Sequence, residues 1–457
     1  MKRKVWGATA LALASVLALG ACSTGSGSSA STAIAPSTDG KGKTLTLWLI
    51  GDGTPVPLQK YLETRFHTLT KGTLKIQQQQ WSDIVTKLTT SLPDKNNTPD
   101  VTEMGNTQSP SFTNVGAFLD ISSQYQALGG SKLLQSFVDA GEVDGKNYTL
   151  PYYFGSRYVF YRKDVWAKAG ITTAPTTLTE FNSDVAKVNS ANPDNIQDFS
   201  GFYLGGEDWR DGISWIFANG GDIAKKENGK WVATLDSPNT LKGLAQLQAI
   251  YKDADNAPGD AQDSNQYIYI NDSDSIAGAT ATDKATPVSL AAATIMAPGW
   301  AHWSIGDQGK DPKTGAVTRT WNPAVFGTFP LPGNDGKPAP VFAGGSNIGI
   351  SAKTKYPGLS EELLKIIFSP TYQKMLGQNG LGPANSDYNS SLGSDQFAKA
   401  LIASASNSKL TPAAPGWASV ESAGVMEEFF SKIKDASDLK ALAQQYDAKI
   451  TPMLNTK

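Results

Sequence analysis

The chain has 457 residues, which is long enough for two domains that each bury a core. It carries 40 basic and 42 acidic residues, a formal net charge of -2, so it lacks the excess of positive charge that nucleic-acid binding requires. Its one cysteine, Cys22, excludes an intramolecular disulfide, so burial of apolar surface must stabilise the fold. The 11 tryptophans exceed what a core of this size requires, and an indole ring offers a ligand both a flat apolar face and a polar N–H.

The N-terminus has the three parts of an export signal, which we assign to residues 1–21. Three basic residues at 2–4 precede an apolar run at 5–19 that is too short for a membrane-spanning helix. The sequence Leu-Gly-Ala-Cys that ends at Cys22 resembles a lipobox, which implies cleavage before this cysteine and diacylglycerol on its thiol. A plain anchor with an incidental cysteine is the alternative. Residues 22–42 are rich in serine, threonine and glycine, which is typical of a flexible tether.

Strand and helix patterns alternate from residue 43 onward. Leu45, Leu47 and Leu49 recur at every second position, which predicts a strand over 44–50. The pattern then predicts helix, strand, helix and strand, at 57–72, 74–79, 82–92 and 100–102. This alternation is the signature of an α/β fold, and such sheets bind ligands beyond the carboxyl ends of their strands.

Three loops follow the carboxyl ends of these predicted strands, and we therefore expect them to meet at one rim. A ligand hydroxyl both donates and accepts hydrogen bonds, so carboxylate, amide and hydroxyl groups in these loops can orient it, while an indole can stack on an apolar ligand face. For each side chain the alternative is an ordinary solvated loop group. The candidates are Asp52, Trp81, Glu103, Asn106 and Thr107.

The stretch 141–170 is rich in aromatic residues. Pro151 offers no backbone donor to a sheet, and the β-forming residues at 157–162 predict a strand after it. We interpret this stretch as a strand that crosses from one compact unit to another, with Tyr153 at the crossing. An aromatic-rich edge of an ordinary sheet is the alternative.

The run YTLPYYFGSRYVFYRKDVWAKAG in this stretch, with Pro175 and 178–181 after it, resembles the sugar-binding lipoproteins of bacterial ABC importers, the maltose-binding protein group. Residues 291–303 and 343–383 resemble the same family, and the likeness covers nearly all of the chain after the tether. Two departures lead us to expect a ligand other than maltose. Threonines follow Pro175 where the family has Thr-Trp, and Glu-Met replaces the usual tryptophan of the third loop.

The resemblance implies a two-lobed α/β fold of the type II periplasmic-binding-protein class. The lobes would be joined by crossing strands and would close on the ligand like a hinged clamp. It assigns residues 43–150 and 326–369 to the first lobe, and residues 151–325 and 370–457 to the second.

The resemblance also adds site residues. It gives Trp209 and Trp300 the role of stacking on sugar faces, with Trp303 as the substitute for Trp300. It places a glycine-bearing strand with Gly345 and Ser346 along the cleft, where small residues let the backbone approach the sugar. A loop ending at Trp417, which matches a family loop only loosely, is expected to return one more aromatic ring.

The function implied is that of an extracellular solute-binding lipoprotein. It would capture a di- or oligosaccharide and deliver it to ABC permease subunits at the extracellular face of the cell membrane, held there by its lipid alone. The resemblance implies a monomer without cofactor, metal or catalysis. In agreement with that, the sequence contains no Walker loop, dinucleotide glycine fingerprint, HExxH or CxxC motif.

Two other classes stay open. A surface-tethered carbohydrate-active hydrolase needs two carboxylates that straddle one bond, and the adjacent Glu207 and Asp208 would point apart on one strand. A binder of peptides, polyamines or another small polar solute needs different cleft chemistry, and a polyamine site in particular would be poor in aromatic rings and rich in carboxylates. The acidic residues within 260–275 lack the ligand spacing and turn glycine of a calcium loop.

Overall fold

The computed structural model describes residues 38–263, 266–271 and 290–456. The export signal, Cys22 and most of the tether lie outside the described residues, as do Asp272 and Asp274 of the acidic loop. Of the helices in the described ranges, none has the length and apolar character needed to cross a membrane.

The described strands form one six-stranded sheet, one three-stranded sheet and three two-stranded ribbons. In chain order they are β1 (Thr44–Ile50), β2 (Thr73–Gln79), β3 (Val101–Gly105), β4 (Glu142–Val143), β5 (Lys146–Asn147), β6 (Thr149–Phe154), β7 (Arg157–Arg162), β8 (Ala224–Glu227), β9 (Lys230–Ala233), β10 (Thr294–Pro298), β11 (Asp307–Lys310), β12 (Val317–Thr320), β13 (Phe326–Phe329), β14 (Gly345–Ile350) and β15 (Gly382–Pro383).

The described α-helices pack around these sheets. They are α1 (Val56–Thr70), α2 (Ile84–Ser91), α3 (Ser109–Asn114), α4 (Gln135–Ala140), α5 (Lys163–Lys168), α6 (Leu178–Ala191), α7 (Trp209–Ala218), α8 (Pro238–Asp253), α9 (Pro357–Ile367), α10 (Pro370–Gln378), α11 (Gln396–Ser406), α12 (Trp417–Ser422), α13 (Val425–Ser431) and α14 (Leu439–Leu454).

The six-stranded sheet has the order β15–β6–β14–β3–β1–β2. Its early strands run parallel, with Leu45 beside Leu74 and Leu47 beside both Ile76 and Val101. β14 enters antiparallel to both β3 and β6. The parallel β1, β2 and β3 with the helices between them are the alternation that the leucine pattern predicts.

The first core covers this sheet. Leu58, Leu62 and Phe66 form an apolar stripe along α1 and are fully buried, whereas Leu69 at the end of the same stripe is exposed. Each fully buried side chain of this size stabilises the fold by roughly 1.5–3 kcal/mol through removal of apolar surface from water.

The second core surrounds the sheet β10–β7–β13. Trp166 of α5 is buried there, and its Nε1 donates a 2.9 Å hydrogen bond to Thr294 Oγ1 of β10. Residues 201–204, whose sequence also predicts a short strand, form no strand in the structure. In its place, Ser200 and Tyr203 make isolated parallel bridges to Ala292 and Ile295.

The chain crosses between the two sheets in the aromatic stretch. β6 belongs to the six-stranded sheet and β7 to the three-stranded sheet, and only Gly155 and Ser156 separate them. A second crossing leads from β13 to β14. After it, α10 packs Tyr372 and Leu376 into the first core, although the sequence assigns residues from 370 onward to the second lobe.

Candidate binding cavity

A cavity of about 850 Å³ is lined by segments attached to both cores. The first core and its loops contribute Asp52, Gly53, Pro55, Trp81, Tyr153, Gly345, Ser346, Asn379 and Leu381. The second core, with the crossing segments, contributes Gly155, Arg157, Arg210, Asp263, Pro298, Trp300, Trp303, Phe342 and Gly344.

Three tryptophans line this cavity with large exposed surfaces. Trp81, Trp300 and Trp303 expose 45%, 46% and 57% of their surface, an unusual state for a large aromatic side chain. Trp81 follows β2, and an added Cβ at Gly51 would lie 2.9 Å from its Nε1, so a glycine is needed beside it. Because Trp81 comes from the first core and the other two follow β10, the cavity offers indole rings from both sides.

The Trp300 and Trp303 rings pack against neighbouring residues. Both stand on the 3₁₀ turn Gly299–Ser304 that follows β10. The edge of Tyr267 meets the Trp300 ring at a centroid distance of 5.3 Å. Trp303 lies against Gly380, where an added Cβ would come within 3.0 Å of the indole.

Polar groups close the side of the cavity that belongs to the first core. Asp52 and Gly53 follow β1, and Tyr153 reaches them from β6; an added Cβ at Gly53 would lie 2.5 Å from the Tyr153 hydroxyl oxygen. Gly345 has φ +143°, and a Cβ there would be 2.4 Å from the carbonyl oxygen of Tyr153. Ser346 beside it is buried at the cavity wall.

Glu103 lies one layer behind this wall. It is fully buried in β3, and its Oε2 accepts a 2.9 Å hydrogen bond from the Ile50 amide. Burial raises the pKa of Glu103 to about 7, against the opposing influence of the Ser346 hydroxyl, the Ile50 amide and the Tyr153 hydroxyl. Sequence reasoning placed Glu103 on the rim, but β3 runs further than the predicted strand and includes this residue.

Asn106 and Thr107 also make hydrogen bonds within the protein and do not line the cavity. Asn106 Nδ2 donates a 2.5 Å hydrogen bond to the carbonyl oxygen of Ala343. Thr107 Oγ1 donates a 3.0 Å hydrogen bond to Glu421 Oε2. Both side chains are buried, so the loop after β3 is fastened to the rest of the protein instead of facing a ligand.

Trp209 and Trp417 are buried in the second core and do not line the cavity. Trp209 Nε1 donates a 2.9 Å hydrogen bond to Glu427 Oε1, and the two indoles meet edge to face at 6.1 Å. Both residues open helices, α7 and α12, although Trp417 was expected at the end of a loop. The Asp208 side chain caps α7, and the first turn of the helix directs Trp209 into the core.

The residues proposed as a catalytic pair have local structural roles. Glu207 accepts a 2.9 Å hydrogen bond from Gln262 Nε2 at the surface. Asp208 is buried at its capping position, where burial and the nearby Asp211 raise its pKa well above the ordinary value.

A charged cluster that sequence reasoning did not assign forms the opposite wall. Arg157 Nε lies 2.6 Å from Asp211 Oδ1, and its Nη2 contacts Asp263 Oδ2. Burial raises the pKa of Asp211 to about 6, while the guanidinium of Arg157 opposes the shift. Arg210 completes this wall. Arg157 itself could have indicated this cluster in the sequence. It begins the crossing strand β7, and a charged side chain buried where two sheets meet needs partners of opposite charge.

Comparison with known proteins gives a consistent result. Residues 62–404 match a family described as bacterial extracellular solute-binding protein. Over 383 residues the chain is 31% identical to the diacetylchitobiose binding protein DasA of Streptomyces coelicolor, covering 82% of this chain and 81% of the relative.

Solved structures with little sequence similarity share the fold. The sugar-binding protein MalE from Xanthomonas citri superposes with a TM-score of 0.70 at 18% identity, over 90% of this chain and 97% of its own. The cyclic alpha-maltosyl-1,6-maltose binding protein from Arthrobacter globiformis gives a TM-score of 0.68 at 14% identity, over 90% and 98%. These likenesses confirm the predicted two-lobed α/β fold.

Proposed function

The chain belongs to the bacterial extracellular solute-binding protein family, and from that premise we propose that it captures a di- or oligosaccharide for an ABC importer. The observation that carries the proposal is the presence of Trp81, Trp300 and Trp303 around one cavity. Sugar rings present apolar C–H faces, and exposed indole rings are suited to stack on them.

The size and polarity of the cavity support the same ligand class. Its volume of about 850 Å³ falls within the range of small-molecule sites. Asp52, Asp263 and Arg210 place acceptors and donors among the aromatic rings. Such a mixture suits a neutral polyhydroxylated ligand, whose apolar ring faces can stack on the indoles while its hydroxyl groups form hydrogen bonds with the polar side chains.

Hinged closure is part of the proposal. The short links between β6 and β7, and the return from β13 to β14, join two separate hydrophobic cores. A ligand that contacts both sides of the cavity favours the closed arrangement by its differential affinity for it. The closed form would then be the one that the permease subunits recognise.

Attachment to the membrane is proposed from the sequence. Cys22 lies outside the described residues, and its lipidation would hold the monomeric protein at the extracellular face through the tether at 22–42. Mass spectrometry of the membrane-extracted protein tests this. A mature N-terminus at Cys22 with a diacylglycerol mass supports it, and an unmodified cysteine contradicts it.

Calorimetric titration of the purified chain tests the ligand class. N,N′-diacetylchitobiose comes first because a relative is named for it, followed by cellobiose, maltose and longer glucans. We expect micromolar or tighter binding of at least one saccharide and no change of the sugar after incubation, measured by chromatography. Absence of heat with every saccharide contradicts the proposal. Cleavage of a sugar would favour the hydrolase, and heat with spermidine alone would favour a polyamine binder.

A further inference from the structure

Arg210 presents unused hydrogen-bond donors to the cavity. Its guanidinium lies over the Trp209 ring with 4.5 Å from Cζ to the centroid, and about a third of the side chain is exposed, 32%. The nearest carboxylate oxygens are Asp263 Oδ1 at 3.8 Å and Glu421 Oε1 at 4.0 Å. Within the part of the chain that the structure describes, this guanidinium donates no hydrogen bond, and its ion-pair partners lie at 3.8 and 4.0 Å. Stacking on Trp209 and long ion pairs thus hold the Arg210 guanidinium in place, while its N–H groups stay available to donate hydrogen bonds to a ligand.

Asp263 supplies an acceptor beside this fork. Its Oδ2 contacts Arg157, while its Oδ1 faces Arg210 across the 3.8 Å gap. The side chain is 22% exposed and lines the cavity. A ligand group that enters here meets a donor and an acceptor side by side.

The charge of the surroundings disfavours an anionic ligand group at this place. Two guanidinium groups, Arg157 and Arg210, are surrounded by four acidic side chains, Asp208, Asp211, Asp263 and Glu421. The guanidinium charges of Arg157 and Arg210 are already balanced by the carboxylates of Asp211 and Asp263, so a carboxylate or sulfate would give this wall an excess of negative charge. A neutral acceptor avoids that repulsion.

An apolar ring, Phe342, lies against Arg157 in the same cluster. Phe342 lines the cavity and packs under Arg157, with 5.4 Å from Cζ to the ring centroid, and the edge of its ring meets Trp209 at 5.8 Å. Because Arg210 and Phe342 line the same cavity, a neutral carbonyl group that carries a methyl group could accept from Arg210 and place its methyl group against Phe342.

We propose that Arg210, Asp263 and Phe342 form a specificity site for the acetamido group of an N-acetylated hexosamine unit. Arg210 donates to the acetamido carbonyl oxygen, Asp263 Oδ1 accepts from a neighbouring ring hydroxyl, and Phe342 covers the methyl group. This assignment rests on the proposed function, since it concerns one group of a saccharide held in the same cavity.

Two disaccharides separate the acetamido group from the rest of the sugar. N,N′-Diacetylchitobiose and cellobiose share the β-1,4 linkage and differ at C2 of each unit. Calorimetry with both ligands would compare the wild type with Arg210→Met, which keeps the apolar stem and removes the donors. Exposed Arg65→Met on α1 is the matched control.

We expect the wild type to prefer the acetylated sugar by at least about tenfold. Arg210→Met should lower that ratio by about tenfold, because a hydrogen bond to a charged group is lost with one ligand only. Arg65→Met should leave the ratio unchanged. Arg210→Lys keeps the charge but not the fork, and an intermediate ratio for it supports the site even where Arg210→Met is poorly folded.

The remaining outcomes contradict either the acetamido site alone or the proposed saccharide binding as well. Equal binding of the two sugars by the wild type, a preference for cellobiose, or an unchanged preference in both Arg210 variants overturns the acetamido site while saccharide binding stands. Failure of every saccharide in the panel to bind overturns the proposed function and this site together.

Discussion

Thr107 and Glu421 join the two cores through one hydrogen bond, 3.0 Å from Thr107 Oγ1 to Glu421 Oε2. Thr107 follows β3 of the first sheet, and Glu421 stands on α12, whose Trp417 and Val420 belong to the second core. Burial raises the pKa of Glu421, and Arg210 and Thr107 oppose the shift. A link between the cores is thus made by a carboxyl group that also faces the cavity arginine.

Replacement of Thr107 by Val should therefore destabilise the protein. The side chain keeps its shape but no longer donates to a largely buried carboxyl group, so we expect the free energy of unfolding to fall by about 1–3 kcal/mol. Urea denaturation measures it, with exposed Thr172→Val as the control. Equal losses in the two variants would contradict a special role for this link.

The buried Glu103 should make stability depend on pH. Its folded pKa is about 7 against an ordinary value of 4.5, so the folded state holds the proton more tightly. The resulting stabilisation is fully present below pH 4.5 and is lost as the pH rises through 7. Relative to the wild type, Glu103→Gln should gain about 3 kcal/mol of unfolding free energy between these pH values.

Denaturation at a series of pH values tests the effect of Glu103. The comparison is between the two pH profiles, because Asp255 and Asp447 also have raised pKa values and are common to both proteins. Exposed Glu63→Gln on α1 is the control. Parallel profiles for wild type and Glu103→Gln would show that the carboxyl group does not carry this proton.

The exposed tryptophans should contribute to affinity and not to stability. Trp81→Ala and Trp300→Ala each remove one stacking surface, and we expect the Kd for the bound saccharide to rise about tenfold with little change in thermal midpoint. Leu69→Ala on α1 removes a side chain that is similarly exposed, at 48%, away from the cavity. An unchanged Kd in both tryptophan variants would contradict sugar stacking.

Gly53 should tolerate a methyl group only when the Tyr153 hydroxyl is absent. Gly53→Ala would place a Cβ 2.5 Å from that oxygen, and the ring cannot retreat freely because it packs edge-on to Tyr152 at 5.2 Å. We expect a loss of about 1–3 kcal/mol in stability, as for other overpacked sites. The loss should be smaller in a Tyr153→Phe background, and strict additivity of the two changes would contradict the steric account.

The fold was predictable because its signals are local. The alternating leucines of β1 and the apolar stripe of α1 depend on neighbours within a few residues, and a resemblance extended them to the whole fold. Trp81 was predicted from its place in the loop after a strand, whereas Trp300 was assigned by the resemblance, and both line the cavity.

The rest of the site depends on where helices begin and on distant partners. Trp209 and Trp417 were expected to contact the ligand, but each opens a helix, and the first turn directs the indole into the core. Arg210 and Asp263 lie 53 positions apart in the sequence and meet only in the folded chain. Composition and hydrophobic periodicity describe residues that are near each other in the sequence, so they could not predict this pair.

The position of β14 has a consequence for synthesis. This strand lies between β3 and β6, although it leaves the ribosome almost 200 residues after β6. In a nascent or truncated chain that ends before Gly345, the edges of β3 and β6 that would pair with β14 are therefore unpaired. Unpaired strand edges favour association with other chains. The first lobe cannot be made as a continuous N-terminal fragment, and premature termination should yield an aggregating product rather than a smaller domain.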